Sequence, residues 1–208
     1  MNAPLKTPLV AFWKKNKAVI KEWTDSILWA LVLVMFIRTF FIQAFKIPSG
    51  SMRMTLIEGD RLMVNKLRYG PKIPFMKKRL PGLSELQRGD IIVFKSPDDP
   101  KKDFIKRLIG FGGEAVEIRD GDIYIDGRLI DTPVIKNIYY YNNGPYGEEG
   151  KSTLVPEGYV FVLGDNSGSS KDSRFFGFVP QESIIGRAEF IYWPLPRMRW
   201  LNESQGNF

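Results

Sequence analysis

Histidine and cysteine are both missing from this chain of 208 residues. Without histidine, a serine nucleophile has no Ser-His-Asp triad to draw on, and no His-ligated metal site can form. Without cysteine there is neither a thiol protease nor a disulfide framework, so the core must hold without cross-links. The base chemistry left for a hydroxyl nucleophile is mainly a lysine kept neutral. No metal and no cofactor are expected.

Excess charge is scarce outside one segment. Residues 1–22 hold Lys6, Lys14, Lys15, Lys17 and Lys21 against Glu22 alone, and they supply most of the net charge of +7. The remainder is too weakly basic to argue for a nucleic-acid partner. Apolar residues make up 44% of the chain and aromatics 13%, which excludes wholesale disorder. There is no internal repeat. The length fits one compact domain with appendages.

Only one long apolar run is present. Residues 26–37 are uncharged, but as a helix they would span only about 18 Å, short of the ~30 Å hydrocarbon core. Extending the run to 23–42 reaches the ~20 residues a membrane span requires. Asp25 and Arg38 then fall near opposite interfaces, with Trp23, Trp29, Phe40 and Phe41 among the interfacial anchors. The lysines ahead of it predict a cytoplasmic N-terminus and a C-terminal domain on the outer face. A cleaved signal peptide and a buried core helix are the competing readings; no good small-x-small cleavage site follows, Ile42-Gln43-Ala44 being poor.

Beyond residue 45, short apolar runs alternate with Gly, Pro and Asp. Strands are predicted over 60–65, 90–94, 104–109, 115–118, 123–125, 159–163 and 185–192. Asp120-Gly121 and Asp126-Gly127 are hairpin turn signals, not a calcium loop, because the spacing and terminal Glu of such a loop are absent. The expected class is mainly β: an antiparallel catalytic sheet over 43–115 and 159–200, with a small β insertion at 116–158. One N-terminal transmembrane helix over 23–42 and a 1–22 cytoplasmic segment precede it, and a 201–208 tail follows. The loop between Leu67 and Leu86 carries Lys72, Lys77, Lys78 and Arg79 with Phe75 and Met76. Contact with anionic lipid and a solvated surface loop both fit it. Bilayer contact and packing on the domain both fit the later run Trp193-Pro194-Leu195-Pro196-Arg197-Met198-Arg199-Trp200.

Ser49-Gly50-Ser51 taken alone reads as a turn. Its place thirteen residues after Arg38 would put Ser51 within ~45 Å of the span, with Phe40, Phe41 and Phe45 holding the segment at the bilayer surface. Lys106 lies in Asp103-Phe104-Ile105-Lys106-Arg107-Leu108-Ile109-Gly110. Strand alternation puts it on one face with Phe104 and Leu108, and Arg107 on the other with Ile105 and Ile109. Burial among apolar neighbours would favour the neutral amine a serine base needs. A lysine snorkelling from an edge strand is the alternative. Arg107 cannot serve as the base because it does not deprotonate. The loop Gly164-Asp165-Asn166-Ser167-Gly168-Ser169-Ser170-Lys171-Asp172-Ser173-Arg174 is dense in short hydrogen-bonding side chains, and Asp172 and Arg174 are placed to pair.

Three of these segments, in this order, resemble the signature boxes of bacterial type I signal peptidases: Ile47-Pro48-Ser49-Gly50-Ser51-Met52, Lys106-Arg107 with Gly110, and Gly164-Asp165-Asn166 with Asp172-Ser173-Arg174. Arg88-Gly89-Asp90-Ile91-Ile92-Val93-Phe94 fits a further box. Met54 stands where the family commonly has proline, and Ser167-Gly168-Ser169 where it has an Arg-Asp-Asn stretch. The resemblance implies a membrane-anchored serine endopeptidase that removes signal peptides from preproteins after a small-x-small motif. It implies Ser51 as nucleophile, Lys106 as general base, and Ser49 with the Ser51 N–H as oxyanion hole. Ser170 would orient the lysine, and Asp172 and Arg174 would brace the site. Ile47, Pro48, Met52, Leu56, Phe104 and Ile105 would line the substrate pockets. Partners implied are signal-peptide-bearing preproteins and membrane lipids; the location implied is the bacterial plasma membrane. A self-cleaving Ser-Lys regulator and an inactive anchored β domain that binds exported chains are the alternatives.

Overall fold

The structure is a computed structural model that describes residues 8–73, 76 and 78–201. Lys6, Phe75, Lys77 and residues 202–208 of the expected tail lie outside the described residues. The chain divides into two units, Met1–Thr39 and Phe40–Phe208.

The described part of the first unit is helical, within α1, Pro8–Phe40. Proline suits the first helical position, where its missing N–H is not needed. Within α1, Val19–Phe40 is long and apolar enough to cross a membrane: 22 residues, or ~33 Å of helix. Its large side chains are bare, Trp29 at 72% and Met35 at 68% exposed. Such a surface is satisfied by hydrocarbon rather than water. The helix differs from the span expected over 23–42 at both ends. It starts earlier, and it stops at Phe40 because Ile42 enters strand β1.

Among the described residues the second unit has twelve strands, and the strand pairs are antiparallel. One sheet contains β1 (Ile42–Lys46), β2 (Arg61–Asn65), β3 (Ile91–Lys95), β4 (Asp103–Phe111), β9 (Tyr159–Leu163), β10 (Val179–Pro180), β11 (Ile184–Trp193) and β12 (Arg199–Trp200). Their order is β1-β2-β11-β3-β4-β9-β10, with β12 on β11. A second sheet, in the order β7-β6-β5-β8, is made of β5 (Ala115–Arg119), β6 (Asp122–Ile125), β7 (Arg128–Leu129) and β8 (Thr153–Leu154). Its chain leaves the larger sheet after β4 and returns at β9. The two Asp-Gly turns join its strands. Asp120, Gly121, Asp126 and Gly127 all have positive φ, the backbone of two-residue hairpins that match strand twist.

Strand β1 was not anticipated. It pairs with β2 from Ile42 opposite Asn65 to Lys46 opposite Arg61. Phe45, expected at a bilayer surface, packs instead against a core cluster that includes Ile47, Met52, Leu56, Leu62, Val64, Val93 and Ile191. Two further clusters complete the core. One joins β3, β4 and β9 through Phe94, Leu108 and Val162; the other lies under the smaller sheet. Phe104 and Leu108 belong to the first of these, as strand alternation predicts, while Ile105 and Ile109 pack into the other two. The weakly patterned stretch after residue 130 holds a single-turn helix α2, Pro133–Lys136, and the fully buried Tyr140.

Candidate active site

Ser51 sits in a tight turn, Gly50–Met52, just past the end of β1. Two features set this turn. Ile47 N–H donates to Asp60 O at 2.9 Å, and the Met52 side chain is wholly buried in the core. Lys106 comes from the middle of β4, opposite Ile92 of β3. Its Nζ donates to Ser51 Oγ at 2.6 Å, with the two residues only 4% and 9% exposed. When the amine is neutral, the same contact lets the hydroxyl donate to the nitrogen lone pair. Burial pulls the Lys106 pKa down to about 8; the Asp172 and Asp165 carboxylates oppose that shift and Arg174 adds to it. The Phe104 ring centroid lies 5.8 Å from Nζ.

The 164–174 loop holds this turn through backbone and side-chain contacts. Asn166 N–H donates to Ser51 O at 3.0 Å, and Asn166 Nδ2 donates to Gly50 O at 2.8 Å. Asp165 N–H meets Met52 Sδ at 3.4 Å. Gly164 is glycine because there is no room for more: a Cβ would fall 2.0 Å from Ser170 Oγ and 2.6 Å from Ser51 O. Two buried ion pairs brace the loop. Arg174 reaches Asp172 through Nε at 2.8 Å and Nη2 at 2.7 Å, and neither side chain is exposed. Arg174 also donates to Tyr141 O, Ser167 Oγ and Ser167 O. Arg107, on the far face of β4, makes a forked pair with Asp165 at 2.8 and 2.6 Å. Burial opposes the charge on Arg107, but Asp165 outweighs it and the pKa is raised. Sequence reasoning missed this pair and the Asn166 clamp. Facing partners across a sheet do not show in a single strand's alternation.

The remaining expected site residues are placed unevenly. Ser49 is solvent-exposed in extended backbone two residues before Ser51. Ser170 Oγ is buried beside Gly164 and has no hydrogen-bond partner, so no bond joins it to Lys106. The expected pocket-lining residues differ in exposure. Ile47, Met52 and Leu56 are 2%, 0% and 0% exposed, core residues that shape the site from behind. Pro48, Phe104 and Ile105 keep accessible surface. Strand β9 pairs with β4 only from Arg107 onward, so Asp103–Lys106 presents a β edge on that side, next to Ser51.

At this site a buried hydroxyl meets a buried amine, in a chain without imidazole. The family model "Signal peptidase, peptidase S26" matches residues 20–193. Signal peptidase I of Pseudomonas fluorescens is 31% identical over 227 residues, covering 92% of this chain and 80% of its own length. Probable signal peptidase I-1 of Synechocystis sp. is 37% identical, covering 94% and 90%. Signal peptidase I of Aquifex aeolicus is 36% identical, covering 78% and 80%. The chain belongs to the signal peptidase family, peptidase S26, and is a hydrolase with one N-terminal apolar helix.

Proposed function

We propose that this protein is a membrane-anchored endopeptidase that removes N-terminal signal peptides from exported preproteins after a small-x-small motif. The observation that carries the reading is the 2.6 Å contact between Lys106 Nζ and Ser51 Oγ in a buried setting. Neutral Lys106 takes the Ser51 proton as Oγ attacks the scissile carbonyl. The Ser51 N–H and, after a rotation of its exposed side chain, the Ser49 hydroxyl stabilise the oxyanion; one such donor is typically worth ~3–4 kcal/mol. Lys106 then gives its proton to the leaving amine and activates the water that hydrolyses the acyl-enzyme. Ser170, buried beside Gly164, helps orient the lysine. Asp172 and Arg174 keep the loop rigid.

The open β edge at Asp103–Lys106 suits an extended peptide added as a further strand. The apolar span of α1 provides the anchor. The basic residues ahead of it favour a cytoplasmic N-terminus at the bacterial plasma membrane, with the catalytic unit on the outer face. Exposed Trp193, Leu195, Met198 and Trp200 supply a surface fit for a lipid interface. The test is incubation of the detergent-solubilised full chain with a secretory precursor. Ser51→Ala and Lys106→Ala should each abolish cleavage while the β unit stays folded. Robust cleavage by either purified variant would refute the role given to that residue.

A further inference from the structure

We infer that Tyr141, backed by Tyr139, grips the substrate polypeptide beyond the scissile bond, roughly three to five residues into the released chain. The inference deepens the reading of Ser51 and Lys106 given above and rests on it.

The tyrosines lie in a stretch outside any strand, and their burial alternates along it. Tyr140 points inward and is fully buried, which fixes the backbone. Tyr139 and Tyr141 point outward and are 60% and 53% exposed. They nevertheless hold a defined arrangement, with ring centroids 5.0 Å apart at 67°. Each ring rests on a glycine. A Cβ on Gly121 would fall 2.2 Å from the Tyr139 ring, and one on Gly168 would lie 3.4 Å from the Tyr141 ring. The Tyr141 backbone is tied to the catalytic loop at both polar atoms. Its N–H donates to Ser167 Oγ at 2.9 Å, and its carbonyl accepts from Arg174 Nη1 at 2.8 Å. Rings more than half in water add little to folding, so stability does not account for a braced exposed pair.

Position supplies the occupant. A peptide lying along the open edge of Asp103–Lys106 reaches Ser51 at the Lys106 end. Past that point β9 occupies the edge, and the chain must turn over the loop that begins at Gly164. Asn166 of that loop touches the Ser51 turn directly, and Gly168, two residues on, carries the Tyr141 ring. Two residues of extended chain, as from Asn166 to Gly168, span ~7 Å, so with the contacts at either end a substrate covers the path in roughly three to five residues. Aromatic faces there would hold peptide planes, prolines and cationic side chains of an unfolded segment.

The test uses the full chain in detergent and two peptides with the same sequence up to the cleavage point. One continues for six residues past it; the other ends after one, as an amide. In the wild type the long peptide should have the higher kcat/KM. Tyr141→Ala should lower the long-to-short ratio of kcat/KM by roughly 5- to 10-fold, the worth of one aromatic contact, mainly through KM. Tyr141→Phe should keep the ratio, and Tyr139→Ala should lower it less. An unchanged ratio in Tyr141→Ala, or an equal loss on both peptides, would overturn the inference, the latter marking a purely structural role. A wild-type protein that cleaves neither peptide counts against the Ser51 site itself, not against the tyrosines.

Discussion

Replacing Lys106 by methionine should stabilise the protein at neutral pH while destroying its activity. Methionine matches the stem of lysine and leaves out the amine. In the folded state the amine titrates near 8, lowered by burial from an ordinary value of 10.5. Between those two values the unfolded chain binds a proton that the folded chain does not, so the stability of the wild type rises with pH there. Below pH 8 both states are protonated and the full penalty for charging a buried amine is present, about 3 kcal/mol. By pH 10 the penalty has fallen to about 1 kcal/mol. Losing the hydrogen bond to Ser51 offsets about 1 kcal/mol at either pH. Lys106→Met should therefore exceed the wild type by about 2 kcal/mol at pH 7, a rise in Tm of roughly 4–8 °C, and match it near pH 10. Thermal unfolding of the full chain in detergent, followed by tryptophan fluorescence, reads this directly, because Trp193 and Trp200 lie in the β unit. A difference between variant and wild type that does not change from pH 7 to pH 10 would refute the reasoning. It would mean that folding leaves the titration of the lysine unchanged.

Two further outcomes follow from the same site. Cleavage by the wild type should rise about tenfold per pH unit up to pH 8 and level off above, since only the neutral amine accepts the Ser51 proton; a flat kcat/KM from pH 6 to 8 would contradict this. Asp165→Ala should destabilise the β unit by about 3–5 kcal/mol because it strands the buried Arg107 charge. Arg107→Met combined with Asp165→Leu should recover most of that loss in denaturant melts, and a double variant no better than the single would count against the pair as the cause.

Much of the site was legible in residue types and order. The absence of His and Cys left an amine as the base for a hydroxyl, and only one lysine lay in a strand with apolar neighbours on its own face. The Asp-Gly pairs announced their hairpins, because few residues tolerate positive φ and these do. Strand β1 escaped because Ile42 and Phe45 continue the apolar character of α1 and its partner β2 is remote in sequence. The burial of Ile47, Met52 and Leu56 was not legible, because apolar character does not say whether a side chain faces a cavity or the core.

Local chemistry thus determined the kind of reaction, the membrane-length helix and the turns, since each depends on neighbours a few residues apart. Tertiary structure alone decided that Ser51 and Lys106 meet across 55 positions, that the amine is shielded enough to titrate near 8, and that Arg107 finds Asp165. Desolvation and cross-sheet pairing are set by whatever the fold brings to the other side of a residue, and no stretch of sequence carries its own opposite face.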